Sequence, residues 1–144
     1  MDDPTLIILM YFIIPIWFVA GIVDWFCHRR SNISGTSGAK ESLIHLLMFA
    51  EVGIPLFMVL IFEVNSLIIA ISILLFFVHE ATAMWDVSYA VSKRRVGPIE
   101  QHVHSFLEMI PLLALVLVVG RHWPHFIALF GFGDIPADFA LQLK

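Results

Sequence analysis

Four long apolar runs, at 5–28, 41–62, 66–90 and 101–120, take up most of this chain. A hydrocarbon layer of about 30 Å takes roughly 20 helical residues to cross. Inside it every backbone amide must find its partner within the segment, so a run of this length spans as a helix. At 60% hydrophobic and 14% charged residues over 144 positions, with a mean hydropathy of +0.91, an ordinary soluble domain is excluded. The expected fold is an all-α integral membrane protein. It is one membrane domain over 1–144, a four-transmembrane-helix bundle followed by a short interfacial segment at 122–144.

The first run follows Met1-Asp2-Asp3-Pro4. A secretory leader begins with positive charge, so this segment is expected to be retained as a span. Short loops rich in Lys and Arg stay cytoplasmic. Arg29, Arg30 and Lys40 lie in one connector, and Lys93, Arg94 and Arg95 in another. Both termini are therefore expected outside and both basic loops inside, as in a bacterial inner membrane. Ser31–Gly38 reads as a turn. Beyond Arg121, Pro124, Gly131, Gly133 and Pro136 interrupt a phenylalanine-rich tail. It suits the outer interface, with capping of the bundle or homo-oligomer contacts as the other roles open to it. The lone Cys27 rules out an intrachain disulfide, and the net charge of -4 offers nucleic acid no basic surface.

The two halves carry the same message. One copy is Glu41-x3-His45-x5-Glu51-x3-Pro55 and the other is Glu100-x3-His104-x3-Glu108-x2-Pro111. Each follows a basic connector and a helix ending in an acid and a histidine, Asp24/His28 and His79/Asp86. Two duplicated helical hairpins, related by an axis along the membrane normal, are the expected architecture.

Counted at 1.5 Å per residue, Asp24, Glu41, His45, Asp86, Glu100 and His104 fall roughly 25–33 Å from the outer end of their helices. Glu51, His79, Glu80 and Glu108 form a second layer at roughly 18–22 Å. Asp24/His28, Glu41/His45, Glu100/His104 and His79/Asp86 are each same-face pairs. An acid at a helix centre costs about 2.5–3.5 kcal/mol even on the lenient insertion scale. With few Lys or Arg inside the spans, metal ions are the economical counter-charge. The expected ligands are Asp24, His28, Glu41, His45, His79, Asp86, Glu100, His104 and Glu108, with Glu51, Glu80 and Glu108 as the acid/base residues. Mixed carboxylate and imidazole donors suit iron first, then manganese or zinc. So many donors call for two divalent ions rather than one. Pro55 and Pro111 cannot donate to the carbonyls of Glu51 and Leu107, so kinks are expected beside the deep acids.

This pattern resembles the non-haem di-metal carboxylate proteins, the ferritin-like di-iron class and its membrane members. There the helix motif is Glu-x2-His; here it is Glu-x3-His, so the likeness lies in the donor types. Membrane hydroxylases and desaturases are similar in burying two metals at the cytoplasmic face, but their His-x2-His-His boxes are absent. The resemblance implies a metalloenzyme, an oxidoreductase or a metal-dependent hydrolase, acting on a membrane-soluble molecule. The alternatives are a proton- or cation-coupled transporter and a haem-binding membrane cytochrome. Purified protein separates them: stoichiometric transition metal is expected for the first, loss of flux in Glu51→Gln or Glu108→Gln for the second, and a Soret band for the third.

Overall fold

The computed structural model describes residues 3–32, 35 and 37–144. Asp2 and residues 33, 34 and 36, part of the acidic N-terminus and of the Ser/Gly-rich turn, lie outside the described residues. Four helices are long and apolar enough to cross a membrane: α1 (Pro4–Arg30), α2 (Gly38–Ile61), α3 (Ser66–Lys93) and α4 (Pro98–Arg121). A short α5 (Trp123–Ala128) follows. Each apolar run falls within one helix, save that Phe62 lies just past the end of α2.

Local chemistry sets these boundaries. Asp3 accepts from the amides of Thr5 and Leu6 at the start of α1, satisfying donors that the first turn leaves free. Pro15 would drive its ring into the carbonyl of Tyr11. The turn before it widens into a π-turn at Leu9–Ile13, with the Ile14 amide on the Leu9 carbonyl. Pro55 and Pro111 lie inside continuous α2 and α4. Extended Gly97 followed by Pro98 opens α4, the position where a proline's missing N–H does no harm.

α2 packs along α3, α1 packs along α4, and α3 also meets α4, whereas the sequence neighbours α1 and α2 barely touch. The tight pairs therefore join the two halves of the chain. α3 is the central helix; its buried face runs from Ser66, Ile68, Ile69 and Ser72 to His79, Thr82, Asp86 and Ala90. Among the described residues, the buried set holds as many polar or charged side chains as apolar ones, while large apolar side chains cover the outside. A water-soluble fold has the opposite arrangement.

The tail caps the turn between α2 and α3, one of the roles that the sequence leaves open to it. Glu63 and Leu67 donate their amides to the carbonyls of Gln142 and Asp138, and Lys144 donates its own to Ile61. Asn65 joins both parts: its Oδ1 accepts from the Ile68 amide at 3.2 Å and its Nδ2 donates to the Ala140 carbonyl at 2.6 Å. Gly131 and Gly133, at φ of 75° and 89°, supply the left-handed turns that send the chain back. Val64, Ile68 and Ile69 form a small core beneath this cap, joined by Phe126 and Leu129. Asn65→Ala removes the helix cap and the tail bond together and should cost about 1–2 kcal/mol. A lower unfolding midpoint in micelles is expected, and an unchanged midpoint would mean that the tail is not held there.

Candidate metal centre

Three imidazoles gather where the basic loops leave the bundle. His28 comes from the last turn of α1, and His45 and His104 from the second turns of α2 and α4. Their ring centroids lie 4.5 Å (His28–His45), 5.7 Å (His28–His104) and 6.5 Å (His45–His104) apart. Two aspartates interleave with them. Asp24, one turn before His28, sits with Oδ2 3.0 Å from His28 Nε2 and Oδ1 3.0 Å from His104 Nε2. Asp86, on α3, shares a 3.0 Å hydrogen bond with His45 Nε2. Each half thus lends an aspartate to the other half's histidine, Asp24 to His104 and Asp86 to His45.

The contacts around Asp24 are close without being aligned as hydrogen bonds. Its Oδ1 and His28 Nε2 are buried and lack a hydrogen-bond partner, as does Asp86 Oδ1. Enclosed polar atoms cost free energy until something completes them. Two overlapping groups, Asp24–His28–His104 and His28–Glu41–His45, each bring three donor atoms within 4.8 Å of one another. Each group is two histidines and one carboxylate, a donor set that suits non-haem iron.

Behind this cluster stands a side chain that the sequence had placed in a loop. Arg94, with its side chain only 3% exposed, holds two carboxylates at once. Its Nη2 and Nε donate to Glu41 at 2.6 and 3.4 Å, and its Nη2 and Nη1 to Glu100 at 2.5 and 2.9 Å. Only a planar guanidinium offers this double fork. The bonds to Glu100, and then those to Glu41, raise the Arg94 pKa further above its ordinary value, so it stays charged. Nδ1 of His28 lies 3.2 Å from Arg94 Nη2, 3.4 Å from Glu100 Oε1 and 3.7 Å from Glu41 Oε1. The counter-charge expected from metal alone is thus partly arginine, and Glu41 and Glu100 are partnered by it. Asp24 and Asp86 are partnered instead by histidines.

Deeper in the bundle, Thr82 donates to Glu51 Oε1 at 2.8 Å, and His79 Nδ1 lies 3.7 Å from Glu51 Oε2. This corrects the pairing of His79 with Asp86. Seven residues keep the two on one face but separate them by about 10 Å along α3, so they serve different levels. A cavity of about 470 Å³ between the four helices touches both, with His28, His45, His104 and Asp24 in the same wall. Glu108 reaches that wall too. Glu80 does not; it lies close enough to Glu108 for their charges to interact and has one buried oxygen without a partner. The acid/base role expected of Glu80 has no support in this placement.

Neither Arg94 nor Thr82 was expected at the site. The signal for Arg94 was the excess of acids at its depth and its place immediately after α3; Thr82 sits one turn from His79 and Asp86 on the same face. No protein-family model, curated protein or solved structure matches this chain.

Arg94→Met leaves Glu41 and Glu100 buried without a cation and should cost about 3–5 kcal/mol, read as a lower unfolding midpoint. Adding Glu100→Gln should restore part of the loss, and Arg94→Lys should recover less than full stability because an ammonium cannot fork to two carboxylates. Wild-type stability in Arg94→Met would show that the two acids are solvated.

Proposed function

We propose that the chain is an integral-membrane, non-haem metalloprotein with its metal centre at the cytoplasmic end of the bundle, and that it is an oxidoreductase acting on a membrane-dissolved molecule. The observation that carries this is the Asp24–His28–His104 group, three donor atoms within 4.8 Å of one another, with Asp24 Oδ1 and His28 Nε2 each buried in ionic contact at 3.0 Å but in no aligned hydrogen bond. Asp24 and Nε2 of His28 and of His104 would hold the ion. Iron fits two imidazoles and a carboxylate best, with manganese or zinc as the other candidates. Bound there, iron would supply a one-electron couple and coordination positions left open by a three-residue donor set.

The protein's own part is to orient the donors and keep water out. His28 Nδ1 accepts from Arg94 Nη2 at 3.2 Å; with Nε2 given to the ion, the ring would carry its proton on Nδ1 and would have to turn it to Glu100 Oε1, 3.4 Å away. Arg94 anchors both acids, so the ring is held from behind, as metal-binding histidines commonly are. A second ion of a dinuclear centre would draw on His45 and Asp86; Glu41, grouped with His28 and His45, has both oxygens on Arg94.

The crossed partnership of aspartates and histidines supports the duplication. A two-fold exchange of α1 with α3 and α2 with α4 maps the Asp24–His104 contact onto Asp86–His45, and maps the α1/α4 pair onto α3/α2. One difference matters: the position equivalent to His28 is Ala90, fully buried. The first donor set is complete and the second lacks an imidazole, so the first should fill more tightly.

An enzyme is favoured over an ion carrier by the other half of the bundle. The cavity there is walled mainly by apolar side chains, with Glu51, Ser72 and Lys144 as its polar lining, and gives a cation few stations along its length. Elemental analysis of protein purified in mild detergent should find at least one iron per chain. Asp24→Asn and His104→Ala should each lower that content by about tenfold or more, and His122→Ala should leave it unchanged. A metal-free wild type that stays metal-free after anaerobic addition of ferrous iron would end the proposal.

A further inference from the structure

Two cavities meet at one polar pair. The outer one, about 190 Å³, lies between the prolines and ends on Glu51; the inner one carries His79 and the imidazole cluster. Trp17 and Val52 border both. Glu51 and His79 stand at the neck, 3.7 Å apart, and are 5% and 4% exposed. Thr82 fixes one oxygen of Glu51. The other oxygen and the ring nitrogens of His79 make no aligned hydrogen bond, with the Met48 carbonyl the backbone group close to the ring. Buried polar atoms left incomplete carry a desolvation cost. A ligand that supplied the partners would recover that cost.

We propose that this neck binds a single-chain amphiphile, with its hydroxyl or carbonyl head held by Glu51 and His79 and its chain in the outer cavity. A hydroxyl donates to the free Glu51 oxygen and accepts from the imidazole; a carbonyl accepts from the imidazole alone. The facing wall is apolar. At the fixed offsets that pair His45 with His104 and Asp24 with Asp86, Glu51 and His79 correspond to Ile110 and Trp17, and both of these line the outer cavity. Glu108 falls two residues short of that register. One polar wall and one apolar wall orient a molecule that has a polar end and a greasy body. A phospholipid headgroup fits poorly, because the one cation lining these two cavities among the described residues is Lys144. It lies at the far end and donates to the Val59 carbonyl. Glu51 is six residues from His45 on α2, so the head sits about 9 Å above the imidazole cluster and opens toward it. This deepens the metalloprotein proposal by naming a substrate class, and rests on it only for the fate of the bound molecule.

The test uses Trp17 as a reporter. Trp25, Trp85 and Trp123, all exposed, are replaced by Phe, and the protein is placed in phosphatidylcholine nanodiscs. It is then titrated with a long-chain alcohol brominated along its chain. Saturable quenching of Trp17 is expected, reversed by the unbrominated alcohol. Glu51→Leu and His79→Leu should each weaken binding by at least about tenfold. Ala114→Phe, which fills the outer cavity without touching the polar pair, should remove saturation and covers the case in which a polar variant fails to fold. Quenching that rises linearly with bromine content, or that is equal for a brominated alkane without a head group, would overturn the inference. Iron content on the same samples keeps the two proposals apart. Iron retained with no saturable quenching defeats the amphiphile site alone, and saturable quenching without iron defeats the metal centre alone.

Discussion

The rest of the structure depends on how Arg94 shares its charge between Glu41 and Glu100. Two anions and one cation leave water together, and the double fork gives each carboxylate two donors. This ties the start of α2 to the start of α4 across the end of α3, at the level where α1 delivers His28. Without that tie the first turns of α2 and α4 would repel each other, and His28 Nδ1 would lose the guanidinium that donates to it. One guanidinium does not neutralise Asp24 and Asp86 as well. What remains is a negative, imidazole-rich pocket, which is the electrostatic condition for holding a cation.

Packing turns this local arrangement into a crossed site. Because α1 lies on α4 and α2 on α3, aspartates and histidines from opposite halves meet, and no helix supplies a complete donor set. The weak contact between α1 and α2 leaves room for the inner cavity between the four helices. At the opposite end the tail closes the α2–α3 turn with backbone hydrogen bonds. One end of the bundle is thus held by main-chain bonds and the other by charge.

Much of this was legible in the residues. Hydropathy and length place all four long helices, because nothing else satisfies the backbone of such runs in an apolar medium. Helical periodicity placed Asp24, His28, His45, Asp86 and His104 at one depth, and they do converge. Periodicity describes one helix at a time, however, and partners come from how helices dock. Glu41/His45 and Glu100/His104 share faces, yet their closest partners lie on other helices. Arg94 was read as a topological charge since it follows the last residue of α3; burial beneath Gly97-Pro98 is a property of chain reversal. The tail was opaque for a similar reason. Its hydrogen bonds to Glu63, Asn65 and Leu67 involve mainly backbone groups, which carry no residue-type signature.

The most direct measurement is an anomalous difference map at the iron edge from crystals of the purified protein. A peak about 2.0–2.2 Å from Asp24 and from Nε2 of His28 and His104, with Nδ1 of His28 directed at Glu100, is the expected result. A map with these side chains ordered around water alone, in protein exposed to ferrous iron before crystallisation, would contradict a metal centre at this end of the bundle.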